Sequence, residues 1–175
     1  MTDDLPELTV REATLTDVQA VAAIHVEGYE SAHRGLFPDE NLAVRTLELR
    51  TRVWGERLAD PPESSFVVVA EQEGEVVGFL SGRASRPDED DGEGLGRWED
   101  IYVASKCRPR GRVVAAMKPA AYDLWKGFGF PGVVGFIAEP NTRALRFFTE
   151  EIGMHQDGHS VEIDGVRVLR VRADF

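Results

Sequence analysis

Short apolar runs alternate along the chain with stretches of helical spacing. Leu8–Glu12 predicts a first strand, with Leu8 and Val10 on one face. Thr16 begins a helix, with Gln19 three residues on as a capping box requires. Val18, Val21, Ala22 and Tyr29 then recur at helical spacing until Gly35 to Pro38 interrupts them. Asp39 opens a second helix that runs to about Leu58 and is closed by Asp60-Pro61-Pro62. Phe66–Ala70 is continuously apolar, the mark of a buried strand. Val76–Gly82 follows it across Glu73-Gly74-Glu75, so the two form a hairpin. After a loop at Arg86–Gly96, Arg97–Val103 is a fourth strand. Gly111–Phe128 carries a stripe of Val113, Val114, Met117, Ala121, Leu124 and Phe128, inside which Pro119 should kink or delay the helix. Val133–Ala138 is a fifth strand. Pro140-Asn141 starts a further helix with Ala144, Leu145, Phe148 and Ile152 on one face. Met154–Ile163 and Val166–Ala173 form a last hairpin turning at Asp164-Gly165.

This order, β-α-α-β-β-β-α-β-α-β-β, predicts an α/β fold with one mixed, mostly antiparallel sheet of about seven strands and about four helices. A strand–helix–strand unit lies inside antiparallel neighbours. The 175 residues, 42% of them hydrophobic, suit a single domain spanning 1–175 with its own core, and no repeat or linker divides it. Charge narrows the partners. A formal net charge of -11 and a pI near 4.8 argue against nucleic acid, which needs a broad basic face. No apolar run reaches the ~20 residues of a membrane-spanning helix. The acidic start, Met-Thr-Asp-Asp-Leu-Pro, lacks the apolar segment of a secretory signal, so a cytoplasmic location is expected. Cys107 is the only cysteine, which excludes an intramolecular disulfide and a cysteine metal cluster.

Against this acidic background, residues 99–113 stand out. A short apolar strand (Ile101, Val103) runs into a basic turn holding Lys106, Arg108, Arg110 and Arg112 around Gly111, and a helix follows. Such a layout can wrap an anion in backbone N–H donors at a helix N-terminus. A basic knot in an acidic chain points to one localised anionic partner.

The order of elements and several local strings resemble the GNAT superfamily of N-acetyltransferases over nearly the whole chain. Ile24-His25-Val26 to Tyr29, with His33-Arg34-Gly35-Leu36-Phe37-Pro38, resembles the family's first helix and the loop after it. Val76-Val77-Gly78-Phe79 resembles its third strand, and Ile101-Tyr102-Val103 the strand along the pantetheine arm of acetyl-CoA. The most specific match is Asn141-Thr142-Arg143-Ala144-Leu145-Arg146-Phe147-Phe148, very close to the late-helix signature Asn-x-x-Ala-x-x-Phe-Tyr. The resemblance implies acetyl-CoA as co-substrate and direct transfer of its acetyl group to a primary amine of a small molecule. It places the pyrophosphate on Arg108, Arg110, Gly111, Arg112 and Val113, and the pantetheine on Ile101, Tyr102 and Val103. Asn141 and Phe148 border the thiol end, and Tyr29 and His33 line the acceptor pocket. Glu99 and Asp100 are the candidate general bases, the plainer reading being a solvated strand end or a salt bridge to a neighbouring arginine.

The family's cofactor turn reads Arg/Gln-x-x-Gly-x-Gly/Ala, and this chain departs from it at Val113, whose two methyl groups would stand at the pyrophosphate contact. Pro109 removes one N–H donor. Arg97 stands where many relatives carry a glutamate, and Phe148 where many carry the tyrosine that protonates the leaving thiolate. The departures keep two rivals open: a non-catalytic GNAT-fold protein that senses acyl-CoA or serves a partner, and an interaction module without the cofactor. Family members often dimerise, which leaves a homodimer open. No metal is expected. His155 and His159 are four apart but on a strand and turn. The loop acids Asp88, Asp90 and Glu99 occupy the first, third and twelfth positions of a calcium loop, yet the sixth is Glu93 and not glycine. That loop reads as solvated, with steering of a cationic amine as a weaker idea. His25 reads as helix surface or packing, and Cys107 as a structural thiol.

Overall fold

The computed structural model describes residues 6–86, 92, 94–107 and 109–175. The chain enters through β1 (Leu8–Glu12) and a 3-10 turn (Leu15–Asp17) that leads into α1 (Val18–His33). Thr14 and Asp17 build that turn. Asp17 Oδ2 accepts the Thr14 N–H at 2.7 Å, and Arg11 donates to the same oxygen at 2.7 Å. The helical segment therefore starts earlier than the expected Thr16–Gln19 cap, because Asp17 reaches back to the first free N–H. The expected second helix is two, α2 (Asp39–Ala43) and α3 (Leu47–Ala59). Thr46 separates them by capping α3, its Oγ1 accepting the Leu49 N–H at 3.2 Å. Arg45 is left in the connector.

The remaining elements are β2 (Phe66–Gln72), β3 (Glu75–Ala84), β4 (Gly96–Val103), α4 (Arg110–Gly127), β5 (Gly132–Ala138), α5 (Thr142–Arg146), β6 (His155–Ile163) and β7 (Val166–Asp174). A π-helical turn at Phe147–Glu151 extends α5. Both predicted hairpins form. Their turn residues Glu73, Gly74, Asp164 and Gly165 all have positive φ (53°, 80°, 50° and 75°), the backbone that matches strand twist in a two-residue loop.

The seven strands make one sheet in the order β1-β2-β3-β4-β5-β7-β6, antiparallel except between β4 and β5. That parallel pair is joined only at Gly96↔Val133 and Arg97↔Val134, whereas β5 stays paired with β7 from Gly132 to Ala138. The sheet therefore splits beyond Arg97 and leaves one edge of β4 uncovered at Ile101–Val103.

Each face of the sheet has its own core. On one face α4 buries Val113, Met117, Ala121 and Trp125 against Val68, Leu80 and Trp98. On the other, α1 and α3 bury Val21, Ala22, Ile24 and Trp54 against Val67, Val69 and Phe79. Trp125 fits because Gly82 and Gly96 carry no Cβ; one added at either would lie 2.5 or 2.4 Å from the indole. The expected stripe placed Phe128 in this core, but Phe128 is 38% exposed and Trp125 fills the space. Pro119 does not delay α4, which runs on from Arg110 to Gly127. Pro119 and Ala115, the residue whose carbonyl loses its partner, both face solvent, so water can take the missing bond. Among the described residues, no helix is long and apolar enough to cross a membrane.

Candidate active site in the split of the sheet

The uncovered edge of β4 is one wall of a cleft of about 490 Å³. Ile101, Tyr102 and Val103 line it, together with Gly28 of α1, the start of α4, and Asn141, Arg143 and Phe148 around α5. α1 comes this close because Gly28 has no side chain: a Cβ there would sit 2.4 Å from the Tyr102 ring. Asn141 ties α5 to α1. Its Oδ1 caps α5 by accepting the Ala144 N–H at 3.1 Å, and its Nδ2 donates to the Ala32 carbonyl at 3.4 Å. Phe148 lines the cleft from a nearly buried position, edge-on to Trp98 with ring centroids 6.1 Å apart.

At the cleft mouth α4 starts after Pro109, which holds an extended cap conformation (φ -77°, ψ 135°). The N–H groups of Arg110 and Gly111, at the first turn, have no carbonyl within the helix. Arg110 and Arg143 line the same cleft, as does Glu151, whose Oε2 would lie 3.1 Å from a Cβ on Gly111. Open N–H donors and arginines at the positive end of a helix suit a pyrophosphate. The rest of the basic knot is engaged elsewhere. Lys106 pairs with Glu75, and Arg112 donates to the Pro6 carbonyl at 2.8 Å. Arg108 lies outside the described residues.

Val113 is not where the motif reading put its methyl groups. The side chain is 1% exposed and packs on Gly78, where a Cβ would lie 2.9 Å from Val113 Cγ1. The first residues of α4 face the cleft, and residue 113 has already turned toward the sheet. Val113→Gly is therefore expected to cost about 2–4 kcal/mol of stability without tightening coenzyme A binding. Chemical denaturation and calorimetric titration of the variant check both halves.

The chemistry depends on a β-bulge. The β3–β4 register shifts between Ser81, opposite Asp100, and Gly82, opposite Trp98, which makes Glu99 an extra residue. The strand's alternation breaks there, and Glu99 and Asp100 both meet groups from the α1–α3 side. Glu99 is held by Arg57 of α3 and by Arg83 Nε at 2.8 Å. Of the two candidate bases, Glu99 is thus the ion-paired one. Asp100 has no such clamp. Ser81 Oγ donates to its Oδ2 at 3.2 Å, and His25 Nε2 stands 3.8 Å from its Oδ1. Burial pushes the Asp100 pKa up to about 6, and the Glu99 carboxylate pushes in the same direction, against the pull of Arg57, Ser81 and Arg50. A carboxyl that titrates there can exchange a proton near neutral pH.

His25 is core, not surface: it is 4% exposed. Its Nδ1 accepts from Trp54 Nε1 at 3.2 Å, which assigns the ring hydrogen to Nε2, the side toward Asp100. Burial lowers its pKa to about 3, helped by the positive charges of Arg50 and Arg45, so the ring stays neutral.

Tyr29 lines a second pocket of about 470 Å³ between α1 and α2, where the Arg45 guanidinium carbon lies 4.0 Å above its ring. His33 stacks on Tyr29 at 4.1 Å between centroids, and its Nδ1 bonds the Tyr29 carbonyl at 2.9 Å. Its observed role is to brace Tyr29. Sequence reasoning passed over Gly28, Arg45, Arg50 and Arg143. Only Arg143 had a local signal, since it stands two residues after the capping Asn141. Arg97 lies over the Phe136 ring at 4.7 Å. The buried Cys107 thiol donates to Gln72 Oε1 at 3.7 Å, in line with a structural thiol. The loop acids Asp88, Asp90 and Glu93 lie outside the described residues, and His155 and His159 sit on β6.

Comparison with known proteins agrees with this architecture. Three solved structures superpose over nearly the whole chain. PaiA N-acetyltransferase from Thermoplasma acidophilum, in complex with coenzyme A, is 9% identical, with a TM-score of 0.69 over 94% of this chain and 98% of that one. A ribosomal-protein-alanine N-acetyltransferase from Brucella melitensis is 22% identical, with a TM-score of 0.69 over 95% and 99%. A putative phosphinothricin N-acetyltransferase is 24% identical, with a TM-score of 0.66 over 96% and 98%. At these identities the likeness is one of fold. No curated protein matches the sequence. The family model for GNAT acetyltransferases matches residues 25–154, most of the chain. The protein therefore belongs to the GNAT acetyltransferase family, whose co-substrate is acetyl-CoA.

Proposed function

We propose that the protein moves an acetyl group from acetyl-CoA directly to a primary amine of a small molecule. The observation that carries this reading is Asp100, an unclamped carboxyl titrating near pH 6 on the strand whose uncovered edge lines the cleft. Bound acetyl-CoA supplies the acetyl group as a thioester. Arg110, Arg143 and the first N–H groups of α4 would hold its pyrophosphate, and Ile101–Val103 its pantetheine. Asp100 takes the proton that the incoming amine must lose, at Oδ1 or Oδ2, directly or through one water. Free N–H groups on the β4 edge are placed to donate to a carbonyl oxygen as it gains charge. Ser81 holds the carboxylate by a hydrogen bond, and the neutral His25, 3.8 Å away, adds no competing charge. Phe148 has no proton to give, so water protonates the departing sulfur.

Phe148 also favours a second reading, an acyl-CoA-binding protein without turnover. Calorimetric titration with acetyl-CoA, followed by thiol release across an amine panel, separates the two. The expected result is a dissociation constant on the order of 1 μM to 1 mM with turnover of at least one amine. Binding without any turnover selects the sensor, and no binding at millimolar acetyl-CoA rejects both.

A further inference from the structure

On the α1–α3 side of the sheet, Arg50 lies near both Asp100 and Arg45, and among the described residues neither arginine makes an ion pair. Arg45 occupies the break between α2 and α3, and Arg50 lies in the first turn of α3. Both are half-buried, and the Nε of each is buried without a hydrogen-bond partner. Two neighbouring arginines are neutralised, Arg57 by Glu99 and Arg34 by Glu30, while Arg52 on α3 is exposed to water. Arg45 lies over the Tyr29 ring face, with its guanidinium carbon 4.0 Å from the centroid. Arg50 is near enough to interact electrostatically with Asp100, Tyr102 and Tyr29, and to be repelled by Arg45.

Two guanidinium groups brought together and partly dried cost free energy unless an anion joins them. The chain has carboxylates in excess, with 31 Asp and Glu against 20 Lys and Arg, yet it sets none on this pair. Glu30 at the pocket is already held by Arg34, and Asp39 is exposed at the start of α2. Asp100 offers one negative charge, on which Arg57 draws as well as Arg50, and it gives that charge up when it takes the amine proton, so it does not balance both arginines. The planar fork of arginine matches a carboxylate or phosphinate with paired hydrogen bonds.

We infer that the acceptor is a small amine that also carries an oxyanion, as a free amino acid or aminophosphinate does, and that Arg45 and Arg50 hold the oxyanion while the amine faces Asp100. The inference rests on the acetyltransferase reading above and specifies its acceptor. It disfavours polyamines, which would bring further positive charge to the arginines, and so runs against steering of a cationic amine by the acidic loop.

The test is acetyl-CoA-dependent thiol release with matched acceptors: free amino acids, their carboxamides, the decarboxylated amines, an aminophosphinate, and spermidine. The oxyanion-bearing member of each matched set should have a kcat/KM about 10–100-fold above its neutral partner. Arg50→Gln should collapse that ratio toward one. Arg45→Gln, in a connector where folding is less at risk, should do the same. Acetyl-CoA affinity measured by calorimetry reports that each variant is folded. Preference for the aminophosphinate over the amino acids keeps the inference and names the oxyanion. Equal or better use of carboxamides, simple amines or spermidine overturns it and leaves the transferase reading standing. Absence of turnover with every acceptor overturns both.

Discussion

Asp100→Asn should cut turnover about 100- to 10,000-fold and at the same time make the protein more stable above pH 6. The catalytic half follows from the loss of the proton acceptor. In the native protein the rate should climb with pH up to about 6, as Asp100 ionises, and level off above it. The variant should lack that limb. The stability half follows from linkage. Folding raises the Asp100 pKa from 3.8 to about 6, so the folded chain binds this proton more tightly than the unfolded one. The stabilisation is complete below the unfolded pKa and is lost as pH rises through about 6. Above that, folding carries an ionised, buried carboxylate, at a cost of roughly 2–3 kcal/mol. Asparagine keeps the shape and can still accept from Ser81, but removes the charge. Stopped-time assays from pH 5 to 8 and thermal melts at pH 5 and 8 check the two halves. An unchanged pH profile in the variant would remove Asp100 from the reaction.

Trp125→Ala should lower stability by about 3–5 kcal/mol, which for a chain of this size is a fall of roughly 6–20 °C in melting temperature. Trp125 is fully buried, and two glycines on different strands, Gly82 and Gly96, are shaped around it. Its indole meets Phe66 and Trp98 edge-on, with centroids 4.9 and 4.8 Å apart. The two glycines have no side chains to move into the hole, and the facing Phe66 and Trp98 rings are themselves buried. Trp98 also immediately precedes the bulge, so a loosened ring stack reaches the strand that carries Asp100. A melt that shifts by less than about 2 °C would show that the cavity collapses.

What the sequence made legible was local. The hairpins were readable because Glu73-Gly74 and Asp164-Gly165 are short turns between apolar runs, and the turn backbone depends on those residues alone. The capping Asn141 and the Ile101–Val103 edge were readable as strings. The acids at 99 and 100 were visible, but their different fates were not. A bulge is a mismatch between two strands, and Arg57, which claims Glu99, comes from a helix more than forty residues away. Sequence left His25 between helix surface and packing because its burial depends on Trp54, on another helix. Val113 was assigned by its slot in a motif, which says nothing about the direction of its side chain. Trp125 was passed over because the stripe was extended to Phe128, although 125 lies one turn beyond Ala121 and continues the same face.

The two-rung seam between β4 and β5 has a mechanical consequence. It divides the sheet into a block of four strands and a block of three, each more extensively paired within itself than across the seam. Because the backbone joins the blocks at two rungs only, side chains hold them together: Trp98 of one block shares a core cluster with Val133, Ile137 and Val171 of the other. A guest laid along β4 therefore meets walls from both blocks at once, with Asp100 carried by one and Asn141, just beyond the end of β5, by the other.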